Sequence, residues 1–366
     1  MSSEIKALRE AVAALMQKRS GEEQVREVMA TDTGFDEAMW AELAEMGLLG
    51  LAVPEQFDGA GAGQVEMGAV CEEMGRALLC GPFFSTAVLT PALLAATGDL
   101  DEQAEVLSAV AQGTSVTALA FAEGTSATLP EQPATVATES AGHWHLSGEK
   151  NYVLDAGAAD VLYVLATAPE GPSVFAVNRG AAGFEPVPLT GVDLTRKLYC
   201  VRFSDTPARR VGQPGSGTAS FAAALEAGGV AMLGEQAGGT YRAMQLAVDY
   251  ARTRFQFGRA IGSFQAVKHM CADMLLEAES AVSAARHVAA AYDAGAADRA
   301  ADLALAQAYC GDAYVTVAAT SIQVHGGIGF TWEHPAHLYL RRARTDAQLL
   351  GDPAWHRERY LQLKGA

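Results

Sequence analysis

A chain of 366 residues, half of them apolar and 7% aromatic, is long enough to bury a large core and divide into two or three domains. Its 43 acidic residues against 26 basic ones give a formal charge of −17. That balance opposes a nucleic-acid binder, because phosphate contact needs a concentrated basic surface. Anionic cofactors are not excluded, since local cations and helix N-termini suffice for them.

The five cysteines, Cys71, Cys80, Cys200, Cys271 and Cys310, are scattered, without a C-x-x-C pair or a histidine at ligand spacing. They read as buried thiols in a reducing compartment rather than as disulfides or metal ligands. No secretory leader is expected at Ser2-Ser3-Glu4-Ile5-Lys6, and no apolar run reaches the ~20 residues that span a bilayer. The expectation is a soluble cytoplasmic protein with neither membrane nor nucleic acid as partner.

In chain order, Leu8, Val12, Leu15 and Met16 mark the apolar face of a first helix. Helices are predicted over Ala41–Leu49, Met67–Leu79 and about Ala87–Ala96, separated by the Pro54 to Gly61 loop and the Gly81-Pro82 break. Near Thr114 the character changes. Val116–Ala122, Trp144–Leu146, Tyr152–Leu154, Val161–Ala166, Val174–Val177 and Tyr199–Phe203 are short, rich in β-branched or aromatic residues, and separated by turns. They predict a β-barrel or sandwich. The linker from Gly212 to Gly217 precedes long Ala-rich helices, including Met270–Asp293 and Ala300–Val324, for which an antiparallel bundle is the default. The predicted domains are 1–113 (helical), 114–212 (β) and 213–366 (helical).

Two segments of the last domain can carry chemistry. In the first, Arg252 to Gln265, basic residues and Gly258 fit a plain helix end, where Gly258 would stop the helix; an arginine there can also clamp a phosphate. In the second, Gln323 to Phe330, three glycines fit a C-terminal turn; they would also let a ligand approach the backbone, with Gln323 as donor and acceptor. His325 alone reads as a packed, hydrogen-bonded histidine.

Together with Trp332-Glu333-His334-Pro335, the segment from Leu43 to Gly59 and Leu146-Ser147-Gly148-Glu149-Lys150-Asn151-Tyr152, these runs resemble the acyl-CoA dehydrogenase family over nearly the whole chain. The resemblance implies an N-terminal helical domain, a central β-barrel and a C-terminal four-helix bundle. It also implies FAD bound between subunits of a tetramer, an acyl-CoA substrate, a glutamate that removes the α-proton, and an electron-transfer flavoprotein as acceptor. Arg254 would bind the FAD pyrophosphate, with Phe257 and Gln265 beside it, and Gln323, Gly326 and Gly327 would hold the adenine end.

The same comparison predicts losses. Counted without gaps from Glu333-His334-Pro335, the family's catalytic glutamate falls on Leu350, which cannot accept a proton. The alternative base position of some relatives falls on Gly228, with Glu226 the nearest carboxylate and Glu235 a weaker candidate. The flavin-ring loop is shortened to Phe121–Ala127 without its proline, and Leu154 replaces a hydroxyl residue. These features predict the smaller, base-less subunit of an α2β2 acyl-CoA dehydrogenase, resembling actinobacterial types that act on steroid-derived thioesters. A homologous catalytic subunit would complete the site. A self-sufficient homotetramer using Glu226, and a flavin-free structural or regulatory subunit, are the alternatives.

Overall fold

The computed structural model describes residues 2–365. The helices are α1 (Ser3–Arg19), α2 (Glu22–Met29), α3 (Glu37–Glu45), α4 (Gln64–Arg76), α5 (Thr90–Thr97), α6 (Leu100–Ala111), α7 (Gly217–Thr253), α8 (Gln265–Asp293), α9 (Arg299–His325), α10 (Ala336–Asp346) and α11 (Pro353–Lys364). The strands are β1 (Thr117–Ala120), β2 (Val136–Ser140), β3 (His143–Leu154), β4 (Val161–Ala168), β5 (Gly171–Asn178), β6 (Phe184–Pro188), β7 (Leu198–Val211), β8 (Phe255–Gln256) and β9 (Arg259–Ala260). Contacts group the chain into two compact units, one of Met1–Arg26, Gln64–Leu79 and Gly229–Ala366, the other of Glu27–Gly63 and Cys80–Gly228.

In the first unit, α1 starts where Ser2 Oγ accepts from Ile5 N–H at 3.2 Å, and it buries Val12, Leu15 and Met16. Valine, leucine and small residues of α7, α8 and α9 fill the bundle core, among them Val230, Leu233, Ala281, Val288, Leu303 and Cys310. Glycines let α4 and α7 approach backbone to backbone. A Cβ added at Gly238 would lie 1.9 Å from Glu72 O, and one at Gly75 would lie 2.1 Å from Glu235 O. Over this crossing the buried Glu72 and Glu73 receive Arg9, whose Nη2 reaches them at 2.6 and 2.5 Å. Arg286 reaches Glu72 at 3.2 Å. Two buried carboxylates are thereby matched by guanidiniums, as burial of charge requires.

In the second unit, β4, β2, β3, β7 and β5 pair in a ring that closes through β4–β5, while β1 joins β4 and β6 joins β7. The barrel is filled by Trp144, Leu146, Val164, Phe175, Val201 and Phe203, with others. The predicted Trp144–Leu146 and Tyr152–Leu154 strands are the two ends of β3, which is bent by register shifts at 146/148 and 150/153. Two strands escape the sequence pattern. β2 buries only Ala137, and β6 carries Pro186 and Pro188 with no buried residue, as an edge strand allows.

The second unit also holds α3, which begins four residues before the predicted Ala41. Asp36 accepts from Ala38 N–H at 2.9 Å to start it, and Gly47, at φ 71°, lies just beyond its end. The helix predicted around Ala87–Ala96 opens as a π-helix over Phe84–Leu89. There Ser85 Oγ donates to Asp155 Oδ2 at 2.7 Å, and Thr86 Oγ1 donates to Thr117 O at 2.9 Å. Four of the cysteines are buried and Cys271 is half-buried, all as free thiols. Among the described residues no helix is long and apolar enough to cross a membrane.

Candidate functional site

The segment that closes α7 departs from its sequence reading. Gly258 does not stop the helix, which ends at Thr253, four residues before Phe257. Instead Phe255 pairs with Ala260 and Gln256 with Arg259, leaving Phe257 and Gly258 as a two-residue turn at φ 52° and 76°. Positive φ at both central residues defines the hairpin turn whose twist suits its strands. Gly258 adopts it without strain, whereas Phe257 does so at a cost. Phe257 is 91% exposed, with Phe264 edge-on at 6.2 Å and the Arg259 guanidinium 4.0 Å from the Phe264 ring. Arg254, at the base of the hairpin, is exposed and makes no side-chain ion pair among the described residues. Gln265 opens α8, its amide 3.0 Å from His269 Nε2.

At the end of α9, Gln323 is exposed and Gly326 turns the chain at φ 65°. A Cβ at Gly326 or Gly327 would meet nothing within 4 Å, so the backbone there is open to a ligand. His325 is buried, its Nδ1 2.7 Å from Ser321 O. Its ring lies 4.6 Å from Tyr250 and 4.3 Å from His334. Burial lowers both histidines from the ordinary value. This packing joins the last turns of α7 and α9. Arg254 stands one turn beyond Tyr250, and Gln323 stands two residues before His325. The two predicted halves of the cofactor clamp therefore share one end of the bundle.

The base positions contain little acid–base chemistry. Leu350 is 8% exposed and sits at φ 64°, a left-handed conformation unusual for leucine. Glu235 is bound to Arg342, Nη1 to Oε1 at 2.5 Å, while Arg342 Nη2 donates to Leu79 O at 3.1 Å. That carboxylate holds a buried guanidinium in place. Glu226, also on α7, is half-buried.

At the shortened 121–127 loop, Glu123 has a role that its sequence did not advertise. Its carboxylate accepts from Ala134 N–H at 2.6 Å, Thr135 N–H at 2.9 Å and Thr135 Oγ1 at 2.8 Å. It also lies 2.6 Å from Lys150 Nζ, which donates to Phe121 O at 3.2 Å. Burial, opposed by the Glu123 bond, lowers Lys150 to about 8. Burial would raise Glu123, but the Lys150 and backbone hydrogen bonds outweigh it and leave Glu123 below its usual value. The available sequence clue was spacing: Trp144, Leu146 and Lys150 fall on alternate positions of β3, and all three are buried. Leu154, buried and paired with Leu198, offers no hydroxyl.

In chain order a β-barrel stands between helical segments, and the C-terminal bundle carries open glycines and an exposed arginine toward one end. Family models for the acyl-CoA dehydrogenase N-terminal and C-terminal domains match residues 2–114 and 215–361. Acyl-CoA dehydrogenase IpdE2 of Mycobacterium tuberculosis is 36% identical over 347 residues, 94% of this chain and 92% of that protein. The chain thus belongs to the acyl-CoA dehydrogenase family. Among solved structures it is similar to the ChsE4–ChsE5 complex of Mycobacterium tuberculosis (26% identity, TM-score 0.91, 100% of this chain and 98% of that one). It is also similar to the Tcur3481–Tcur3483 steroid ACAD (28% identity, TM-score 0.87, 99% and 98%). The resemblance to actinobacterial heteromeric subunits stands on these relatives.

Proposed function

We propose that this chain is the base-less subunit of a cytoplasmic heterotetrameric acyl-CoA dehydrogenase, acting in the α,β-dehydrogenation of a bulky, steroid-derived acyl-CoA. The observation that carries the reading is Leu350, a buried aliphatic side chain where the family's glutamate falls by count. Of the other candidates, Glu235 is committed to Arg342. Proton abstraction needs a carboxylate within contact of the α-carbon, so a homologous partner subunit supplies it.

Bound FAD would supply the acceptor for the hydride that leaves the β-carbon, with an electron-transfer flavoprotein as the onward acceptor. This chain's part is to hold that cofactor. Arg254 presents a planar fork suited to pyrophosphate, Phe257 and Gln265 lie beside it, and Gln323 with the bare backbone of Gly326 and Gly327 receives the adenine end. The likeness to a two-component complex and to a steroid enzyme supports both the partner and the substrate class.

The test is flavin content and turnover of the chain purified alone and with its partner. Expected are little FAD and no acyl-CoA oxidation alone, with both restored in the complex. Stoichiometric flavin with turnover in the isolated chain would establish the homotetramer, and a complex that needs no flavin from this chain's clamp would establish a structural subunit.

A further inference from the structure

The helical unit contains a cavity of about 540 Å³, lined by none of the predicted clamp residues and walled by α1, α2, α4, α7 and α10. Its apolar walls include Met16, Val25, Leu246 and Leu338, and its polar lining includes Glu22, Glu73, Arg76, Arg242, Gln245 and Tyr339. The size suits a small-molecule ligand, for which cavities of roughly 300–1,000 Å³ are usual.

Charge decides which ligand. Both lining carboxylates are held by arginines that do not line the cavity. Glu73 is bound by Arg9 at 2.5 Å, and Glu22 by Arg26 at 2.8 Å. The lining arginines are less well matched. Arg76 pairs loosely with two carboxylates, its Nε 3.6 Å from Glu73 Oε2 without a hydrogen bond and its Nη2 3.9 Å from Glu72 Oε1, while Nη1 donates to Gln245 Oε1 at 3.3 Å. Its guanidinium stacks 4.5 Å from the Tyr241 ring. Arg242 is half-buried and makes no ion pair among the described residues. Its contact is with the hydroxyl of buried Tyr339, which in turn donates to Arg76 O at 2.7 Å. Tyr339 therefore orients a guanidinium with most of its donors unused. The lining is balanced, two carboxylates against two guanidiniums, but with their partners Arg9, Arg26 and Glu72 the count is four guanidiniums to three carboxylates, and Arg242 is the one left over.

We propose that the cavity binds a small amphipathic carboxylate, with its head on the Arg242 fork and its apolar body against Met16, Val25, Leu246 and Leu338. A monoanion suits the site better than a phosphate dianion, because Glu22 and Glu73 border the same space and would repel the second charge. An apolar body is required because half of the wall offers no hydrogen bond.

The experiment is calorimetric titration of the protein, co-purified with its partner, using octanoate as the probe and 1-octanol as the uncharged control. Octanoate should bind saturably and more tightly than octanol. Arg242→Ala should weaken it by roughly tenfold or more, the loss of one charge-assisted pair, and Arg242→Lys should recover part of that. Leu246→Trp, which fills the cavity, should abolish octanoate binding. All three variants should retain wild-type melting and acyl-CoA turnover, which separates this site from the acyl-CoA site. If Arg242→Ala fails to fold, Leu246→Trp carries the test alone. Absence of saturable octanoate binding, or equal affinity in wild type and in every folded variant, overturns the proposal.

Discussion

Lys150 Nζ lies 2.6 Å from Glu123 Oε1 with its side chain wholly withdrawn from solvent, and this pair ties the 121–135 loop to β3. Lys150→Met leaves the Glu123 carboxylate buried without its cation and should cost ~3–5 kcal/mol, while Glu123→Gln with Lys150→Met should cost less. The pH dependence has a definite sign. Folded Lys150 titrates at about 8 against 10.5 when free, so between those values the unfolded chain binds the extra proton. The wild-type stability relative to Lys150→Met should therefore rise from about pH 8 toward 10. Denaturant midpoints at several pH values check it, and a difference that shrinks with pH would contradict the burial.

Four histidines of the helical unit are buried or half-buried. Burial lowers His325, His334, His337 and His356 from 6.5, the last two to about 4. Between 6.5 and 4 the unfolded chain takes up protons that the folded chain refuses, so stability is full above pH 6.5 and falls as the pH drops. Melting temperature should decline across that window. His337→Gln should flatten the decline, and an unchanged slope would remove His337 from the account.

Gly238→Ala should be among the more damaging single-methyl additions in the chain. Its Cβ would lie 1.9 Å from the Glu72 carbonyl oxygen, part of the helix backbone, so α4 and α7 must separate. Overpacking of this kind costs ~1–3 kcal/mol or more. Gly327→Ala, with open space around it, should change thermal stability little. Equal melting of the two variants would refute the close crossing.

In the co-purified complex, Arg254→Ala should weaken FAD retention by about tenfold or more, since a charge-assisted bond to phosphate contributes ~1.5–3 kcal/mol. Leu350→Asn should leave turnover nearly unchanged, and Asn suits φ 64° better than Leu does. Normal flavin retention in Arg254→Ala together with lost turnover in Leu350→Asn would invert the division of labour between the subunits.

Glu235→Gln separates a structural carboxylate from a catalytic one. It removes the charge facing buried Arg342 and should destabilise the chain by ~3–5 kcal/mol. Glu226→Gln should leave both stability and turnover of the complex near wild type. A kcat loss in either variant without a change in melting would identify that residue as the base.

The chain's local periodicities determined the order of helices, barrel and helices, because helical and strand repeats are written in neighbouring residues. The motifs likewise placed Arg254 and Gln323 at helix ends and a leucine at position 350. What needed tertiary structure is whatever joins residues far apart in sequence. β2 and β6 bury almost nothing, so only pairing to β3 and β7 identifies them. The turn at Phe257–Gly258 could be read as a helix stop until Phe255 paired with Ala260. Glu123 finds Lys150 across 27 positions, and Glu235 finds Arg342 across 107. A carboxylate's neighbours, not its own identity, decide whether it is a base, a cap or a counter-ion, and those neighbours are assembled only when the chain folds.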